Sequence, residues 1–179
     1  MALSCSSIKI ETGQTTEEAT ESSAEQASRM RSEWADFISR TPQSKRPEQM
    51  REIVRRAMAT YQNFGRQILN LWEEGEKGRG EKVSAEEIRE RLDGWLAPQQ
   101  PVLKAYDDMF EYTYDQLKKE FPDNYDLLNG AKKLSKFYYN AYPAFFYPTE
   151  TVDEYRYDLE AISNETDKAL DDFSQIMPN

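Results

Sequence analysis

The stretch MREIVRRAMATYQNFGRQILNL, residues 50–71, decides the fold. Met50, Val54, Ala57, Tyr61, Phe64, Ile68 and Leu71 recur at alternating steps of four and three, which puts them on one face of an α-helix. Pro47 suits the first turn, where a missing N–H goes unnoticed, and Gly75, Gly78 and Gly80 mark the end. The predicted helix has about 28 residues and spans roughly 40 Å at 1.5 Å per residue.

The same period repeats on both sides. Upstream, Ala27, Met30, Trp34 and Phe37 define a helix that stops near Thr41 and Pro42. Downstream, Ser84 with Glu87 forms a capping box for a short helix carrying Ile88, Leu92, Trp95 and Leu96, closed at Pro98. A helix from Pro101 carries Leu103, Tyr106, Phe110, Thr113 and Leu117 and closes at Phe121-Pro122. The next begins near Asp123 with Leu127, Leu128, Ala131, Leu134 and Tyr138, and Gly130 is a weak point within it. Pro143 and Pro148 bracket a short piece, Ala144 to Tyr147, that is expected to be non-helical. Thr151 and Glu154 form a second capping box, opening a last helix along Val152, Tyr155, Leu159, Ile162, Thr166, Ala169 and Phe173.

Strand-like alternation is missing, and narrow apolar stripes at this spacing suit near-parallel packing at about 20°. The expected fold is therefore all-α: an elongated antiparallel bundle, coiled-coil-like in its seams, of four long helices plus one or two short ones. Residues 26–177 form that single domain. Residues 1–25, rich in Ser, Thr and Glu, carry too little apolar surface to offset ordering entropy and read as a disordered arm, whose end from about Ala24 can be drawn into the first helix.

Composition narrows the chemistry. The chain of 179 residues has no histidine and one cysteine, Cys5. That excludes His-based triads, His-ligated metals and internal disulfides, and no metal, cofactor or catalytic residue is assigned. A net charge of −10 argues against nonspecific binding to nucleic acid or anionic lipid. No apolar run reaches the ~18 residues of a membrane span, and the first dozen residues lack the pattern of a secretory signal, so a cytoplasmic location is expected. Gly75, Gly78 and Gly80 do not make a phosphate loop, because Glu81-Lys82 follows where Lys-Ser or Lys-Thr is required.

Three features remain. The densest aromatic run in the chain includes Phe137, Tyr139, Tyr142, Phe145, Phe146 and Tyr147, read either as rings that bind a protein partner or as a segment that folds back to plug one end of the bundle. Arg51, Arg55 and Arg56 form a basic patch that could dock an acidic surface such as the last helix of another copy. That last helix is strongly acidic, with Asp153, Asp158, Glu160, Glu165, Asp167, Asp171 and Asp172 against Arg156 and Lys168. The sequence therefore points to a non-enzymatic interaction or assembly protein. One alternative is a protein that lays amphipathic helices on a membrane or granule surface, for which Lys132, Lys133 and Lys136 are the best feature. Another is a small-ligand carrier with an aromatic pocket.

Overall fold

The computed structural model describes residues 22–80, 82–149 and 151–177. Among these, the chain forms six α-helices and no strand: α1 (Ser23–Arg40), α2 (Arg46–Arg79), α3 (Ala85–Leu96), α4 (Gln100–Glu120), α5 (Tyr125–Phe146) and α6 (Val152–Ser174). The expected all-α bundle is observed. The expected disordered arm lies mostly outside the described residues, but its last three positions, 23–25, already belong to α1. Ser22 accepts from the Glu25 backbone N–H, and the Glu25 carboxylate closes a capping box on Ser22. The predicted boxes at Ser84/Glu87 and Thr151/Glu154 also form.

α2 is the central rod and packs against α4, α5 and α6. Its 34 residues span about 51 Å, longer than its sequence reading. Gly75 and Gly78 do not end it; the helix runs through both and stops at Gly80, whose φ of 68° is the left-handed conformation that a helix C-cap favours in glycine. Trp72 explains the extension. It is fully buried and donates its indole N–H to the Val83 carbonyl at 2.9 Å, so packing outweighs the glycine penalty of about 1 kcal/mol each.

Contacts fix the directions. Along α2 and α4, Arg46 meets Glu120 while Tyr61 meets Tyr106, so these helices are antiparallel. Glu73 meets Arg156 and Gln62 meets Ser163, so α6 is also antiparallel to α2. Phe145 faces Tyr155 and Gly130 faces Phe173, which makes α5 antiparallel to α6 and parallel to α2. α3 and α4 are nearly one rod, broken at a 3-10 turn over Ala97–Gln99 by Pro98 and Pro101. Together they descend beside α2, from Val83 at Trp72, past Trp95 on Phe64, to Glu120 at Arg46. α1 lies on α4, where Trp34 donates to Thr113 Oγ1 at 2.8 Å.

Two glycines mark close approaches to α6. A Cβ on Gly65 would sit 2.6 Å from Leu159 Cδ2, and a Cβ on Gly130 would collide with Ile176 Cδ1. Gly130 is therefore a packing notch, not a weak point.

Other expectations are corrected. Ile38, not Phe37, is the buried residue at the end of α1, and Trp72, not Leu71, lies in the seam of α2. A straight helix turns every 3.6 residues, so a strict three-four seam drifts off the buried side by about 20° per heptad. The segment 144–147 is not a bracketed loop. α5 passes through Pro143 to Phe146, and Tyr147 N–H donates to the Pro143 carbonyl at 2.9 Å. Burial of Phe145 and Phe146 against Tyr61 holds the helix together past the missing proline donor.

Candidate functional site

The aromatic run of α5 divides between inside and outside. Phe145 and Phe146 are 0% and 3% exposed, so they are core and offer no docking surface. Phe137 and Tyr142 are half-buried; Tyr142 packs on Tyr61 and Phe146 with ring centroids 5.7 and 4.5 Å apart. Tyr139 and Tyr147 remain exposed, at 44% and 62%. Only these two of the six predicted partner-binding rings are exposed.

The buried rings organise a polar link that the sequence reading missed. Tyr61 of α2 and Tyr138 of α5 bring their hydroxyls to 2.9 Å, and Tyr138 Oη donates to Asp107 Oδ1 of α4 at 2.8 Å. Each phenol has one proton, so with Tyr138 committed to Asp107 it is Tyr61 that donates to Tyr138. Phe110 stacks on Tyr138 at 4.5 Å and 12°, while Tyr106 meets Tyr61 edge-on and has its hydroxyl 3.0 Å from Thr60 Oγ1. Burial raises the Asp107 carboxyl above its ordinary value, and Glu111 and Asp108 push it the same way. Burial likewise raises the Tyr61 and Tyr138 phenols, with the nearby Asp107 charge adding to it, so both stay protonated at neutral pH. The link ties α2, α4 and α5 at one height, and its phenols are donors already spent on one another and on Asp107. The sequence signal was Asp107 itself, adjacent to Tyr106 on the seam of α4.

A second buried link lies at the N-terminal end of α2. Arg46, 6% exposed, donates from Nε to Glu120 Oε1 at 3.0 Å and from Nη1 to the Ile38 carbonyl at 2.8 Å and Gln49 Oε1 at 2.7 Å. It joins α1, α2 and α4.

The predicted basic patch is largely engaged. Arg55 and Arg56 both donate to Glu52, at 2.8 and 2.6 Å, and hold its carboxyl down at about 2. Arg56 also lies 5.8 Å over the Trp34 ring. Arg51 is half-buried, and its Nε has no hydrogen-bond partner among the described residues. The patch keeps net positive charge but not three free guanidiniums.

The outward side of α5 and α6 is different. On α5, Asn129, Lys133, Lys136, Asn140, Pro143 and Tyr147 are all exposed at steps of four and three, opposite the buried row Leu127 to Phe145. On α6, Glu154, Asp158, Ala161, Glu165, Lys168 and Asp172 repeat the same steps and are exposed or half-exposed. Lys133 and Asp172 line one cleft between the two helices, of about 720 Å³. Tyr157, 72% exposed, stands at the same end as Tyr147. The sequence reading missed Tyr157 because it grouped rings by density and not by face.

Among the described residues no helix is long and apolar enough to cross a membrane. None of their Asp and Glu side chains gather in groups of three that could hold a metal ion. Comparison with known proteins finds no matching family model, no matching curated protein and no matching solved structure.

Proposed function

We propose that this chain is a non-enzymatic interaction or assembly protein that docks a protein partner, or another copy of itself, through the outward side of α5 and α6. The supporting observation is the exposure of Tyr147 and Tyr157, at 62% and 72%, beside an acidic row on α6. Tyrosine gives large contact area with little rotamer entropy to lose, which is why it is enriched at binding hot spots. The interior supports the same reading. Its rings pack on one another, and its hydroxyls are joined in a link that fixes helix positions. The aromatic contribution to docking thus narrows to Tyr147 and Tyr157, with Tyr139 partly held by its hydrogen bond to Glu111 at 3.2 Å.

The test compares the immobilised full chain with its Tyr147→Ser/Tyr157→Ser variant. The wild type is expected to retain a protein, itself or another, that the variant loses while its melting temperature is unchanged. Equal retention by both, or retention by neither, overturns the reading.

A further inference from the structure

The exposed rows of α5 and α6 are matched in spacing and opposed in charge. From Leu127 to Thr149 the only charged side chains are Lys132, Lys133 and Lys136. The α6 row carries Glu154, Asp158, Glu165 and Asp172 against Lys168 alone. Among the described residues, Lys133, Lys136, Asp158, Glu165 and Asp172 make no ion pair, so they are free to meet opposite charges on another surface. Lys168 is bracketed on its own helix by Glu165 and Asp172, at i−3 and i+4, which offsets its charge.

The register within one copy decides what can face this surface. Gly130 is level with Phe173 and Ile176, Lys133 with Ala169 and Asp172, and Phe145 with Tyr155. One turn above Lys133, Lys136 is therefore level with Glu165, and Tyr147 with the turn that carries Glu154 and Tyr157. A two-fold axis parallel to the helices keeps every height and exchanges left for right. It sets α5 of one copy against α6 of the next, antiparallel and in this same register. The lysines then meet carboxylates twice over by symmetry, and Tyr147 of each copy comes to the turn of Tyr157 of the other.

We propose that this α5–α6 face binds a second copy of this chain about such an axis. The inference rests on the assembly reading above and gives it a partner. Size permits it. The rows run about 27 Å and two helices cover roughly 20 Å, which is about 1,100 Å² over both copies, above the ~1,000 Å² that a specific interface needs. Both copies present the same surface, as an isologous contact requires. The net charge of −10 per chain opposes association at a distance, so the lysine row is what makes this face, and not another, the one that can close.

Sedimentation of the full chain over a concentration series tests this, using Lys133→Glu/Lys136→Glu and Glu165→Lys/Asp172→Lys. The wild type should rise to twice the monomer mass. Each variant alone should associate at least about tenfold more weakly, with unchanged circular dichroism, because these side chains are exposed. An equimolar mixture of the two should recover the dimer, since reversed lysines then face reversed carboxylates and the native rows face each other. A wild type that stays monomeric overturns the pairing, as do variants that dimerise like the wild type or a mixture that fails to recover. A monomer that still retains a different protein through Tyr147 and Tyr157 overturns the pairing alone. A monomer that retains nothing overturns the docking reading as well.

Discussion

The two buried polar links of the bundle solve one problem in opposite ways. Midway along α2, Tyr61, Tyr138 and Asp107 join three helices through phenols whose rings are themselves core, Tyr138 stacked on Phe110 and Tyr61 edge-on to Tyr106. At the Arg46 end, a guanidinium and a carboxylate are buried at 8% and 10% side-chain exposure, and Gln49 Nε2 finds no acceptor among the described residues. The first link adds hydrogen bonds to surface that would be buried anyway. The second takes charge out of water and depends on every partner staying in place. The middle should therefore yield to loss of ring volume, and the end to loss of one charge.

The largest effect is expected from Phe145→Ala with Phe146→Ala, which removes the ring bed under Tyr61. At about 3–5 kcal/mol for each buried Phe, the pair approaches the whole ~5–15 kcal/mol of a typical domain, and the helical circular dichroism should be lost near room temperature. Retention of a cooperative melt would break the view that the middle is held by volume.

Next, Glu120→Ala strands Arg46 and should cost about 3 kcal/mol in chemical denaturation, whereas Arg46→Met with Gln49→Leu and Glu120→Leu, which removes the buried side-chain partners together, should cost about 1 kcal/mol. Equal losses from both would show that the end depends on packing and not on charge.

Smaller effects separate the two phenols. Tyr138→Phe leaves Tyr61 and Asp107 both without their partner and should destabilise by about 2 kcal/mol, against about 1 kcal/mol for Tyr61→Phe, where Tyr138 keeps Asp107. Reversal of that order in urea midpoints would reassign the donor direction.

The smallest effect is a change of pH dependence. The folded Asp107 carboxyl sits above its ordinary value near 3.8, so the folded chain binds its proton more tightly than the unfolded chain. That contribution is present below the unfolded value and is lost as pH rises through the raised folded one. Relative to Asp107→Asn, the wild type should therefore gain stability on acidification from neutrality toward pH 4. Parallel denaturation midpoints for the two proteins over that range would contradict the burial of this carboxyl.

Much of this architecture was legible in the order of side chains. Met50, Val54, Ala57, Tyr61 and Ile68, and Tyr155, Leu159, Ile162, Thr166 and Phe173 of α6, lie in the core as their spacing predicts, while Leu170 and not Ala169 is the buried residue of the last turns. Local punctuation was a poorer guide. Gly75, Gly78 and Pro143 read as helix ends, yet tertiary burial of Trp72 and of Phe145 and Phe146 carried both helices past them. The candidate surface was harder still. Density along the chain grouped Phe145 and Phe146 with Tyr147, but exposure depends on angle around the helix, and that angle is set only once α5 meets α2 and α6. Lys133 and Lys136 were noticed as lysines, while their height against Asp172 and Glu165 required the register of two antiparallel rods.

The break at Pro98 and Pro101 divides the rod beside α2 into unequal pieces. α4 is tied to its neighbours through three polar links at Glu120, Asp107 and Tyr106, whereas α3 is held by buried Ile88 and Leu92, Trp95 on Phe64, one hydrogen bond from Arg89 to the Pro148 carbonyl, and the Trp72–Val83 contact just ahead of it. Amide protons of α3 should thus exchange with solvent through a local opening that leaves those of α4 protected, and proteases should find their first cut near the hinge. Trp72 becomes wet in that opened form, which makes its fluorescence a reporter of a partial unfolding that the rest of the bundle does not share.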